Sequence, residues 1–214
     1  MKQAIIGASG FVGTQLLQEA LQRGHEVTAI VRDTSKIRMQ HPKLAVKSAD
    51  VNDTDKLAEI LKGHDAVLSA YNAGWQNPDL YHDFLNGSRS IEAATAKAGV
   101  KRLLVVGGAG SLEVAPGVQL VDTPQFPEEW KQGALSARDY LGELKQNETL
   151  DWTFLSPAII LQPGARTGHY RTGTDNPVFS EKGESTISAA DLAVALEDEA
   201  EKGQFIRRRF TVGY

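Results

Sequence analysis

Short apolar runs alternate along this chain with segments whose apolar residues recur every three or four positions. Ala4-Ile5-Ile6 reads as a short buried strand. From Phe11 to Arg23, Leu16, Leu17, Ala20 and Leu21 share one face of a helix, and Gly24 stops it. The pattern repeats. Glu26 to Val31, Leu44 to Lys47, Asp65 to Ser69, Arg102 to Val106 and Trp152 to Leu155 read as strands, the fourth continuous and apolar as an inner parallel strand is. Helices are predicted from Asp53 to Leu61 with Asp53 as N-cap, from Asp79 to Ala98 ending at Gly99, from Glu128 to Lys145, and from Ser188 to Glu201, where Ser188 and Asp191 form a capping-box-like pair. Phe205 to Val212 closes the chain as a strand. Gly107 to Phe126, broken by Pro116 and Pro124, reads as irregular, and Gln162 to Gly183 as loop or small hairpin. The alternation predicts an α/β fold with a doubly wound parallel sheet and right-handed crossovers. It is expected as one domain over residues 1–214, with a small substrate-site region from about residue 160 onward.

Composition narrows the function classes. Of 214 residues, 41% are hydrophobic and 23% charged, enough for a packed core, and no apolar stretch is long enough to span a membrane. The formal charge is -4, which speaks against nucleic-acid binding. Arg207-Arg208-Arg209, the one cationic cluster, is expected on a solvated or edge strand. There is no cysteine, so no disulfide or thiolate metal site exists, and the scattered histidines show no ligand spacing. No metal is expected. The amino terminus runs straight into a glycine motif rather than a signal sequence, so a cytoplasmic protein is expected, as a monomer or small homo-oligomer.

That motif carries the first chemistry. In Ile6-Gly7-Ala8-Ser9-Gly10-Phe11-Val12-Gly13, a strand gives way to a helix through three glycines. Gly7 permits a tight turn off the strand. Gly10 lets the backbone approach a pyrophosphate, and Gly13 lets the helix pack close to the sheet. The backbone of Ser9, Phe11 and Val12 completes the loop, and its N–H groups with the positive helix end face the phosphates. The motif predicts a Rossmann-type dinucleotide site at the start of the chain.

The glycine spacing and four further segments resemble the short-chain dehydrogenase/reductase superfamily in its atypical branches. Asp50-Val51 resembles the pair that contacts adenine. Tyr71-Asn72-Ala73-Gly74 resembles the family's Asn-Asn-Ala-Gly segment. Gly107-Gly108-Ala109-Gly110-Ser111 places a serine where the family carries its catalytic one. Ser156-Pro157-Ala158 resembles the proline turn beside the nicotinamide. The likeness is nearest to the NmrA-like, biliverdin reductase B and flavin reductase group. It implies cofactor contacts at Asp50, Val51, Ala70, Tyr71, Asn72, Gly107, Gly108, Pro157 and Ala158, and a catalytic role for Ser111.

Cofactor choice turns on Arg32, at the end of the second strand. Its planar fork suits the 2′-phosphate of NADP, whereas Asp33 begins a turn that it is placed to cap. NADP(H) is the expected cofactor, with NAD(H) the alternative. The resemblance also has a gap, because no Tyr-x-x-x-Lys occurs. Tyr140 has Leu144 at that offset, and Lys145 lies about 140° around the helix at ~100° per residue. The family's usual helix length, counted back from Ser156, points to Trp130 with Ala134 in the lysine place. Trp75, Phe126 and Trp130 fall in segments that border the nicotinamide in the family, and such residues suit a flat conjugated substrate. Two readings follow: an NADPH-dependent oxidoreductase acting on a flavin- or quinone-like small molecule, and an NADP(H)-sensing regulatory protein of NmrA-like type without turnover. A nucleotide-sugar epimerase or dehydratase fits less well, since it needs the missing dyad.

Overall fold

The computed structural model describes residues 1–214. Continuous apolar runs become the inner strands β1 (Lys2–Ile6), β2 (Glu26–Val31), β4 (Ala66–Ser69), β5 (Arg102–Val106) and β8 (Asp151–Ser156). With β3 (Leu44–Ser48), β10 (Arg171–Gly173) and β12 (Arg208–Gly213) they form one eight-stranded sheet, ordered β10-β12-β8-β5-β4-β1-β2-β3. Every pairing is parallel except β10 with β12. The order reverses beside β1, between β2 and β4, so the ends of these strands diverge into a cleft.

Two helical layers cover the sheet. Helices α1 (Phe11–Gln22) and α5 (Ala189–Lys202) pack on one face, where Leu16, Leu17, Ala20, Leu192 and Leu196 meet Ile5, Leu104 and Phe210. Helices α2 (Thr54–Leu61), α3 (Leu80–Lys97) and α4 (Glu128–Leu144) cover the other, where Leu57, Phe84, Tyr140 and Leu141 meet Ile6, Val67 and Phe154. The predicted boundaries hold to within a few residues. Gly24, at φ +81°, ends α1: its N–H donates to the Leu21 carbonyl and that of His25 to the Ala20 carbonyl. Asp53 caps α2 by accepting from Lys56 N–H.

Three expectations need correction. The stretch from Gly107 to Phe126 is not without elements, for β6 (Glu113–Ala115) and β7 (Val118–Gln119) form a small hairpin. The 162–183 segment is not a self-paired hairpin: β10 joins the main sheet against β12, while β9 (Ile160–Gln162) pairs in parallel with β11 (Thr186–Ser188). The arginine run departs from expectation at Arg209 alone: Arg207 and Arg208 are exposed and β10 reaches β12 only from Thr211 on, but Arg209 is buried with 8% exposure. The capping box is half formed. Ser188 Oγ accepts from Asp191 N–H, but the Asp191 carboxylate turns instead to Thr167, Gly168 and Tyr214. It thereby anchors the 160s loop. No helix is long and apolar enough to cross a membrane.

Charged pairs join α5 to the rest. Arg102 Nη2 donates to the buried Glu199 Oε1 at 2.6 Å. Glu197, fully buried, accepts from Gln3 Nε2 at 2.7 Å, leaving Gln3 Oε1 and Glu197 Oε1 without partners. Burial pushes the Glu197 carboxyl up from 4.5 to about 7, against the opposing effect of the Gln3 hydrogen bond and of Arg23. The folded state then binds the extra proton between these values, so stability falls as pH rises from 4.5 to about 7 and is level above that. The full effect is on the order of 3 kcal/mol. Urea unfolding at pH 5 and pH 7.5 should show this decline in the wild type and a flattened profile in Glu197→Gln. Equal slopes in both proteins would locate the titration elsewhere.

Candidate active site

The three glycines of the first loop do different things. Gly7 turns the chain off β1 at φ +75°, and a Cβ there would lie 2.6 Å from the Ala70 carbonyl oxygen. Glycine is what lets the ends of β1 and β4 close together. At Gly13 a Cβ would lie 2.0 Å from the Gly7 carbonyl oxygen, so the first turn of α1 rests directly on the loop backbone. Gly10 is under no such constraint. Its backbone is extended (φ -80°, ψ 177°), and an added Cβ would meet only the Gly7 oxygen, at 3.3 Å. The missing side chain at position 10 serves the space in front of the helix. No side chain caps α1, and the N–H groups of Phe11, Val12 and Gly13 have no protein acceptor. Unpaired donors at a positive helix end, with no side chain across their approach, fit a diphosphate.

At the far end of β2, Arg32 is exposed and its guanidinium has no protein partner, while its carbonyl accepts from Ser48 Oγ at 2.9 Å. The Asp33 carboxylate is committed: it accepts from Ser35 N–H at 3.0 Å and Ser35 Oγ at 2.7 Å, capping a single helical turn at Thr34–Lys36. Asp50 lies exposed after β3 and accepts from Asn52 N–H, while Val51 packs into the core. After β4, the Tyr71 ring turns away from the loop. It lies on Gly87 of α3, stacks on Phe84 at 6.0 Å, and donates its hydroxyl proton to the Asp83 carbonyl. Asn72 Oδ1 accepts from Gly74 N–H at 2.7 Å, which fixes that turn.

Beyond β5, the Gly107–Ser111 segment threads between β8 and α4. A Cβ on Gly107 would overlap the Phe154 ring at 1.9 Å, and one on Gly110 would lie 2.8 Å from Ala134 Cβ. Ala134, in the place that counting gives the family lysine, is thus buried against the loop backbone. Pro157 and Ala158, after β8, are buried as well. Tyr140 is 1% exposed, and its hydroxyl donates to Glu92 Oε2 at 3.2 Å. Burial pushes its phenol well above the ordinary range, and Lys145 stands exposed beyond the helix end. There is no tyrosine–lysine pair on α4.

A family model for NAD(P)H-binding proteins matches residues 7–201. The chain belongs to this NAD(P)H-binding family. It is 45% identical over 215 residues to an uncharacterized protein of Bacillus subtilis, covering 99% of this chain and 98% of the relative. Among solved structures it is similar to a candidate epimerase of Bacteroides thetaiotaomicron, with 45% identity, a TM-score of 0.93, and coverage of 100% of this chain and 96% of that one. It is also similar to a candidate NADH-flavin reductase of Streptococcus pneumoniae, with 39% identity, a TM-score of 0.86, and coverage of 100% and 99%. These likenesses are those of an atypical short-chain dehydrogenase/reductase. A nicotinamide dinucleotide is therefore the cofactor, and the glycine loop fits its diphosphate.

Within this NAD(P)H-binding fold, two of the three expected substrate aromatics meet. Trp75 and Trp130 pack edge to face with centroids 4.8 Å apart, and both stay largely exposed, at 53% and 43%. Gly133 makes room, since a Cβ there would lie 2.5 Å from the Trp75 ring. Phe126, half-buried in the turn before α4, makes no ring contact with either. Ser111 is buried, and its Oγ accepts from Arg209 Nη1 at 3.1 Å. The two residues line an open cavity of about 620 Å³ whose lining residues are mostly polar or charged, with Gln119 from β7 and Arg138 and Leu141 from α4 among its walls. Arg209 was not foreseen from the sequence. The signal lay in the alternation of β12, where Arg209 and Thr211 oppose Phe210 and Val212.

Because position 10 is conformationally ordinary, it separates binding from folding. Gly10→Val should lose NAD(P)H binding at concentrations that saturate the wild type, while the N-cap change costs about 1 kcal/mol of stability. Fluorescence titration beside a thermal melt checks this. Undiminished affinity would make the loop purely structural.

Proposed function

We propose that the protein is an NADPH-dependent oxidoreductase that delivers hydride to a flat, conjugated acceptor such as a flavin or a quinone. The observation that carries this reading is the exposed Trp75–Trp130 pair at the amino-terminal end of α4, on a helix whose dyad positions hold Trp130 and the buried Ala134. The nicotinamide supplies the hydride when bound, and the protein supplies binding and orientation. Large exposed indole faces offer such an acceptor stacking area that an aliphatic alcohol or a sugar cannot use. An acceptor of this kind takes its proton from solvent, so the absence of a tyrosine acid is no obstacle. Ser111 orients the nicotinamide carboxamide or an acceptor carbonyl through its hydroxyl. The segment from residue 160 onward contributes the acceptor side, where Ile159, Ile160, Phe179 and Thr186 line an open cavity of about 550 Å³. The 39% identity to a candidate NADH-flavin reductase supports the same class.

The preference for NADPH rests on Arg32. Its guanidinium is unpaired, while Asp33, the acid that a ribose 2′-hydroxyl would need, is held by Ser35. The same absence of a proton donor also suits a sensor that binds NADP(H) without turnover. NADPH oxidation by the purified protein with FMN, riboflavin, menadione and biliverdin separates the two: turnover with any of them supports the enzyme, and tight cofactor binding without turnover supports the sensor.

Arg32→Ala should weaken NADPH much more than NADH, by roughly ten- to a hundredfold for a charge-assisted phosphate contact. Equal losses, read by fluorescence titration of both cofactors, would remove Arg32 from the 2′-phosphate. Tyr140→Phe should leave kcat almost unchanged. A general acid contributes about 10²–10⁴-fold to rate, so a drop of that size with cofactor binding intact would restore Tyr140 as proton donor.

A further inference from the structure

Arg209 is the only lysine or arginine among the buried residues, and neither the fold nor the reading above uses its charge. Its Nη1 donates to Ser111 Oγ at 3.1 Å and to Ser156 Oγ at 3.4 Å, and its Nε and Nη2 donate to Asp175 Oδ1 at 3.2 and 2.7 Å. One guanidinium thus ties the segment after β5, the end of β8 and the 174–178 loop to β12. Neither serine hydroxyl has another protein partner.

The hydrogen-bond inventory gives these contacts a direction. A guanidinium has donors only, so Ser111 Oγ must accept from it, and the hydroxyl's own hydrogen is left for an acceptor outside the protein. The guanidinium is always protonated, so it orients without exchanging a proton. Its counter-charge, Asp175, is 61% exposed and so screened by water, whereas the guanidinium side chain is only 5% exposed, where a charge is felt more strongly by its neighbours.

We infer that Arg209 is a positioning residue for the proposed reaction, which makes the Ser111 hydroxyl an oriented, cation-backed hydrogen-bond donor to a carbonyl oxygen of the acceptor. This rests on the oxidoreductase reading. When hydride reaches the acceptor ring, negative charge develops on the conjugated carbonyl oxygen. The Ser111 O–H stabilises that charge as a hydrogen bond, and a proton from water completes the reduction. Serine and arginine from two distant segments then supply the hydroxyl and neighbouring cation that α4 lacks.

A double-mutant cycle in the full chain tests this, with Ser111→Ala, Arg209→Gln and the double variant, and Arg209→Lys as the conservative change. NADPH affinity, read by fluorescence, should stay near the wild-type value in the two single Arg209 variants. With menadione as acceptor, Ser111→Ala and Arg209→Gln should each lower kcat by about tenfold or more, as for a lost charge-assisted hydrogen bond, with a smaller change in KM. The double variant should be no slower than Ser111→Ala, and Arg209→Lys should recover part of the loss. An Arg209→Gln effect that persists undiminished in the Ser111→Ala background, or no effect at all, overturns the inference. Should Arg209→Gln not fold, Arg209→Lys completes the same cycle. If the wild type turns over no acceptor, the oxidoreductase reading fails by itself. Menadione binding to the NADP⁺ complex, read by tryptophan quenching, then decides: weaker binding in Arg209→Gln than in wild type retains the serine–arginine donor, and equal or absent binding overturns it.

Discussion

The contact between the first turn of α1 and the carbonyl of Gly7 governs the molecule's geometry. With room for no Cβ at Gly13, the helix is seated on the loop backbone, and its amino terminus is aimed across the end of β1. β1 pairs with both β2 and β4, so the aim of that helix is fixed relative to the strand ends that form the cleft. The other side of α1 packs on α5, which is tied to the sheet through Arg102 and Glu199. A helix so held presents its unpaired N–H groups without reorganisation when a phosphate arrives, which is what makes a helix end an effective anion site.

Close packing and the loss of the tyrosine–lysine dyad belong to one design. Gly133, Ala134 and Ala137 of α4 give room, in turn, to the Trp75 ring, to Gly110 and to Gly108. A long side chain at Ala134 would have to displace the segment after β5. The sequence that excludes the usual lysine is therefore also the one that brings Ser111 inward to Arg209 and leaves two indoles on the surface above. The chemistry available at this end is that of oriented hydrogen bonds and stacking area rather than of a tuned phenol.

Much of this could be read from the chain because the features are local. The strand, glycine loop and helix lie within the first 22 residues, and each glycine's role follows from the elements on either side. The turn at Asp33 follows from Ser35 two residues on, and the absence of a dyad is a statement about spacing alone. What escaped the reading is non-local. β10 is Arg-Thr-Gly, with no apolar pattern, and becomes a strand only because β12 offers it an edge. Arg209 looked like one of three solvated arginines, since its burial depends on a loop some thirty residues earlier, at Asp175, folding over it. Asp191 shows the same limit: the residue type and spacing fit a capping box, but the neighbouring 160s loop claimed its carboxylate.

The sheet's two open borders differ from its interior in a way that bears on solubility. At one side β10 is only three residues long and carries Arg171, whose guanidinium holds carbonyls of Phe179 and Tyr214. At the other, β3 is flanked by Pro42 and Lys43 and bears Lys47 near its end, with most of its side chains in water. A brief strand, nearby proline and flanking cations are the means by which sheets avoid recruiting another chain's backbone. Large exposed apolar side chains include Phe11, Trp75, Trp130, Ile160 and Phe179, the last beside β10, where Arg171 holds its carbonyl. The short, cation-flanked borders thus give another chain's backbone little to pair with.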